Sequence, residues 1–210
     1  MTERDMQAIR DDLSYLRALA AEGRTAPFLG GSIPMAAGLI FGAAAVWHWA
    51  VVSRTVAVSL GSAGIGLGWL AAVAVFLTVL FVLKRGLADK PGAQAASNRQ
   101  SGNAWAALGW ASFAIALGFS LAAWRTGQFV IMDLFSVVIL ALYGSAWALS
   151  AIVSRTRWLW VVAFGSWTAA LIAAWFVGTA ELYLIYAAAL VLLAAVPGFL
   201  LRRQEPSETV

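Results

Sequence analysis

The chain has 210 residues, 62% of them hydrophobic and 11% charged, with a mean hydropathy of +0.83, a formal net charge of +4 and no cysteine. A soluble domain carries about 45–50% apolar and about 25% charged residues, and a 22.2 kDa chain has no core large enough to hide the surplus. These figures exclude a soluble globular domain, a disordered chain, a disulfide scaffold and any thiolate metal site, and leave an all-α integral membrane protein.

The first element, residues 1–30, reads as a cytoplasmic amphipathic helix. Met6, Ile9, Leu13, Leu16 and Ala20 recur at spacings of three and four, which is a short a/d heptad pattern. Thr2 is placed to cap its start, and Gly23 followed by Pro27 ends it. With Met6 at an a position, Asp5 and Asp12 fall at g and Arg10 and Arg17 at e. A parallel pair of such helices sets Asp5 against Arg10 and Asp12 against Arg17, each contact contributing about 0.2–1 kcal/mol. Three placements remain open: pairing in a homodimer or docking another protein, lying on the inner leaflet, or packing on the chain's own bundle.

Six apolar runs follow, over residues 33–53, 63–83, 104–124, 129–153, 158–177 and 180–201. Each approaches the ~20 residues that a spanning helix needs, and each is too long for a buried strand. They form a six-helix transmembrane domain over residues 31–203. Gly38 and Gly42 in the first run, and Gly64 and Gly68 in the second, allow close helix approach. The expected use is packing within the first hairpin, with homodimerisation as a second use. Residues 84–103 are polar, rich in small side chains and contain Pro91; they read as a flexible cytoplasmic loop. Pro197-Gly198 is expected to kink or loosen the end of the last helix, and residues 204–210 read as a polar cytoplasmic tail.

Charge sets the orientation. With the N-terminus inside, Arg4, Arg10, Arg17, Arg24, Lys84, Arg85, Lys90, Arg99, Arg155, Arg157, Arg202 and Arg203 are cytoplasmic, and only Arg54 and Arg125 of the 14 basic residues lie outside. Both termini are then cytoplasmic, and the positive charge marks a membrane side rather than a nucleic-acid surface. Of the 11 tryptophans, Trp47, Trp49, Trp105, Trp124, Trp158, Trp160 and Trp175 fall near membrane interfaces. Trp69, Trp110, Trp147 and Trp167 fall deeper, where they are expected between helices.

Ionisable groups inside or beside spans are the main functional pointers. His48, Arg54, Arg125, Asp133 and Glu181 all fall toward the outer face, with Tyr183 and Gln128 nearby. Together they are a candidate outer polar or ion site. The competing reading is structural, with Glu181 and Asp133 as acidic residues in first helical turns. A single histidine and no cysteine exclude bis-histidine haem and the zinc-protease helix motif. No lysine lies inside a span, and Ser145 has no nearby base. No catalytic residue, metal or cofactor is implied. The expectation is a non-enzymatic accessory, scaffold or signalling protein acting through its N-terminal helix. The alternative is a small transporter or channel for a neutral, lipid-like or cationic solute.

Residues 11–31 (DDLSYLRALAAEGRTAPFLGG), followed at once by a Gly-rich span, resemble the start of uncharacterised bacterial six-helix inner-membrane proteins of about this size. The likeness covers about the first 30 residues. It implies a bacterial inner-membrane location and no particular activity.

Overall fold

A computed structural model of the chain describes residues 6–7, 10, 29–56, 62–88, 90 and 92–205. Among these the secondary structure is helical, with no strand. The helices are α1 (Ser32–Val52), α2 (Ser62–Ala88), α3 (Ala96–Thr126), α4 (Leu134–Ser154, preceded by a 3-10 turn Phe129–Met132), α5 (Leu159–Trp175) and α6 (Glu181–Gln204). Five of them, all but α5, are long and apolar enough to cross a membrane, and they point to a helical membrane protein. The fifth apolar run is a shorter helix of 17 residues. At about 1.5 Å per residue it is about 26 Å long.

Two boundaries correct the sequence reading. Residues 84–103 are not a flexible loop. α2 runs on to Ala88 and α3 starts at Ala96, so most of the segment is helix. Lys84, Arg85, Leu87, Ala88, Ala96 and Gln100 are good helix formers, and hydropathy marks where apolar contact ends rather than where a helix ends.

The packing order is a ring with one open side. α2 packs on α1, α1 on α6, α6 on α5, α5 on α4 and α4 on α3, while α2 and α3 do not pack substantially on each other. The apolar windows of α2 and α3 are each only 6% buried, against 50% for α6. The core therefore sits between α1, α4, α5 and α6, around Leu140, Trp147, Leu159, Leu182 and Leu190.

Two kinds of contact join the helices. The α1–α6 interface is a seam of small residues. A Cβ on Gly38 would meet the Leu190 carbonyl oxygen at 2.6 Å, and one on Gly31 would meet the Arg202 nitrogen at the same distance. Gly42 lies against Ala187, Leu190 and Val191. Gly38 and Gly42 thus face α6, not the first hairpin. Gly64 and Gly68 do face α1, where the Trp47 indole donates to the Gly64 carbonyl at 3.2 Å and lies against Gly68.

The other interfaces are clasped by indole N–H groups. Trp105 Nε1 donates from α3 to Ser150 Oγ on α4 at 3.2 Å. Trp167 Nε1 donates from α5 to the Ala141 carbonyl on α4 at 3.2 Å, its ring lying against Gly144. Trp147 Nε1 donates from α4 to the Leu193 carbonyl on α6 at 2.8 Å. That last bond has a local cause. Pro197 has no N–H, so the Leu193 carbonyl lacks its usual helical donor four residues on. Val191–Ala195 is wound as a π-helix just before the proline. The buried indole supplies the missing donor.

Trp110 departs from its expected place between helices and is 75% exposed on α3. Trp105 packs edge-on to Trp147, with ring centroids 4.8 Å apart.

Candidate functional site

The candidate polar site forms at the end of the bundle that carries the α1–α2, α3–α4 and α5–α6 connections. His48, near the end of α1, accepts a hydrogen bond at Nδ1 from Trp69 Nε1 on α2 at 3.1 Å. An accepting Nδ1 places the ring proton on Nε2 and makes the imidazole neutral. The His48 ring stacks on Tyr183 of α6, with centroids 3.5 Å apart and planes 28° from parallel. The Tyr183 hydroxyl donates to Asp133 Oδ1, and the backbone N–H of Gly178 donates to Asp133 Oδ2 at 3.0 Å. Gly178 has φ +87° in the α5–α6 turn, a conformation that side chains rarely adopt. That turn aims the N–H at the carboxylate.

The result is one chain of contacts, Trp69 to His48 to Tyr183 to Asp133 to Gly178, linking α2, α1, α6, α4 and the α5–α6 turn. Asp133 occupies the cap position of α4 but makes no capping bond to its own helix. Its two oxygens reach across to neighbouring elements instead.

Of the five ionisable residues expected to converge, two do. Glu181, Arg54 and Arg125 are exposed, and among the described residues no ion pair joins them to Asp133. Gln128 is exposed too. Glu181 precedes Tyr183 by two positions, about 200° around the helix, so Tyr183 turns inward and Glu181 outward.

A second polar cluster, missed in the sequence, forms at the opposite end, where the start of α1 meets the end of α6. Glu205 Oε1 accepts the backbone N–H groups of Gly30 and Gly31, both at 3.1 Å. Glu205 Oε2 pairs with Lys90 Nζ at 2.6 Å, and the Glu205 side chain is only 3% exposed. Asn98 Oδ1 accepts from the Leu29 N–H at 3.0 Å, and Asn98 Nδ2 donates to the Gly92 carbonyl at 2.9 Å. A carboxylate from the far end of the chain thus satisfies the N–H groups at the start of α1, where the helix dipole favours an anion. Glu205 reads as part of a polar tail when taken alone, and only the adjacency of the ends of α1 and α6 gives it this role.

The N-terminal interaction residues are largely out of view. Asp5, Ile9, Asp12, Leu13, Leu16 and Arg17 lie outside the described residues, while Met6 and Arg10 are helical and exposed. Within the bundle, every buried side-chain nitrogen or oxygen among the described residues has a hydrogen-bond partner.

No family model matches the chain, and neither a curated protein nor a solved structure matches it.

Proposed function

We propose that this protein is a six-span bacterial inner-membrane protein with both termini in the cytoplasm, acting without enzymatic chemistry as an accessory or scaffold that engages a partner through its N-terminal helix. The observation that carries this reading is that every buried side-chain nitrogen or oxygen among the described residues already has a hydrogen-bond partner within the bundle. Trp69, His48, Tyr183 and Asp133 form a chain of contacts across four helices, as the parts of a clasp do. A solute site instead holds polar groups ready for a guest. The heptad pattern on Met6, Ile9, Leu13 and Leu16 then supplies the surface through which the protein works.

The test replaces Ile9, Leu13 and Leu16 by Asp in the full chain. The expected outcome is a smaller particle or the loss of a specific co-purifying protein, with the melting temperature of the bundle unchanged. An identical particle and identical co-purifying proteins overturn the interaction role.

A second reading, a small carrier for a cationic solute, draws on the meeting of His48 and Asp133 at one end of the bundle. It expects Asp133→Asn to abolish a proton- or cation-dependent flux in proteoliposomes. The clasp reading expects that variant to lower thermal stability and to leave every flux at the background of empty vesicles.

A further inference from the structure

The open side of the ring, between α2 and α3, has a chemistry of its own. At the end where the start of α1 meets the end of α6, an open surface depression of about 470 Å3 is lined by Lys84 of α2 and by Arg99, Gln100, Gly102, Asn103 and Ala106 of α3. Two cations and two amides face it, and its lining contains no carboxylate. On α2, steps of three and four lead from Lys84 to Phe81, Leu77 and Leu70, which are 57%, 55% and 66% exposed. On α3 the same steps lead from Asn103 through Ala106 to Trp110, Phe113 and Leu117, which are 75%, 57% and 56% exposed. The cationic mouth therefore continues, on both helices, into bulky apolar rows that no other part of the described chain covers.

We propose that this cleft binds one anionic phospholipid, with its phosphate between Lys84 and Arg99 and its acyl chains along the apolar rows. The proposal rests on the membrane-spanning reading. The charge argument selects the occupant. Arg and Lys bind phosphate oxygens through charge-assisted bonds, and basic pockets between spanning helices on the cytoplasmic side suit anionic headgroups. A second copy of the chain would bring the same two cations against themselves. The rows also carry Trp, Phe and Leu, whereas close helix pairing favours small residues.

The experiment uses the full chain, purified in neutral detergent and exchanged into phosphatidylcholine nanodiscs containing increasing phosphatidylglycerol. Bound lipids are counted by native mass spectrometry. One phosphatidylglycerol is expected to stay bound in preference to phosphatidylcholine. At about 1 kcal/mol of attraction per cation, or about fivefold, Lys84→Ala with Arg99→Ala is expected to lower that preference about 25-fold. The control pair Arg155→Ala and Arg157→Ala removes the same charge away from the cleft and is expected to leave it unchanged. The single variants Lys84→Gln and Arg99→Gln, each expected to lower the preference about fivefold, keep the test decisive if the double variant does not fold.

Equal retention of phosphatidylcholine, or equal loss in the control pair, overturns the proposal. So does retention of inorganic phosphate alone in the same spectra, which marks a soluble-anion site, or a dimer that buries this face in every lipid. A chain that stays in solution without detergent and does not float with vesicles overturns the membrane reading itself, a result distinct from all of these.

Discussion

Single side chains in this protein are placed by hydrogen-bonding need as much as by apolarity. Trp147 shows the logic. Its fully buried indole fills core volume and also satisfies the Leu193 carbonyl that Pro197 leaves without a donor. Trp147→Phe keeps most of the ring and removes the donor, so a buried carbonyl is left unpaired at a cost of about 1–3 kcal/mol. The cost is expected to shrink in a Pro197→Ala background, where residue 197 regains an N–H. Thermal unfolding of the two single variants and the double variant in detergent measures this coupling, and strictly additive losses would contradict it. The tryptophans also mark the limit of sequence reading. Trp105 and Trp110 lie five positions apart, about 140° around α3, so one meets α4 and the other does not. A hydropathy scale gives both the same value.

At the scale of elements, the ring combines two sorts of interface, and each makes glycine mean something different. Along α1–α6, glycine is the condition of contact, because a Cβ on Gly38 collides with the backbone of Leu190 and Ala195. Gly38→Leu is expected to cost about 3 kcal/mol or more, the upper range for overpacking, since backbone rather than a flexible side chain must yield. Gly118 in α3 has nothing within 4 Å of an added Cβ. Gly118→Ala is expected to stabilise by about 0.5–1 kcal/mol, through lower backbone entropy in the unfolded chain. Unfolding of the two variants under the same conditions compares the effects, and the same sign for both would refute the assignment. Gly38 and Gly42 have the same spacing as Gly64 and Gly68, so the motif identifies a contact face but not the helix that meets it. The partner of α1 is decided by the return of α6 from the far end of the chain.

For the whole molecule, α5 decides how many helices cross the membrane. Its 17 residues are short for a hydrocarbon core of about 30 Å, yet local bilayer thinning and interfacial anchoring accommodate such a mismatch. Trp158, Trp160 and Trp175 at its ends are suitable anchors. The chain contains no cysteine, so single-cysteine variants report topology directly. With six spans, a membrane-impermeant maleimide is expected to label Gln128→Cys and Thr179→Cys from outside the cell. Gln94→Cys and Arg157→Cys are then expected to react only after permeabilisation. Labelling of Thr179→Cys only after permeabilisation would mean that α5 does not cross. The Glu205 cluster bears on the same scale, because its contacts to Gly30, Gly31 and Lys90 lock the start of α1, the end of α6 and the α2–α3 connection into one unit.

The sequence by itself determined the helical class, the apolar runs and the clustering of basic residues at one set of connections. These follow from composition and local periodicity, which are sums over neighbouring residues. It also brought His48, Asp133 and Tyr183 to one end, because counting turns along each run fixes depth. The tertiary structure alone decided which way each side chain turns at that depth. It joined His48 to Tyr183 and turned Glu181 away, set Gly38 against α6, gave Glu205 the N–H groups of Gly30 and Gly31, and left α2 and α3 apart. Local spacing sets which side chains share a helix face, but the choice of the neighbour that meets that face depends on contacts between residues far apart in the chain.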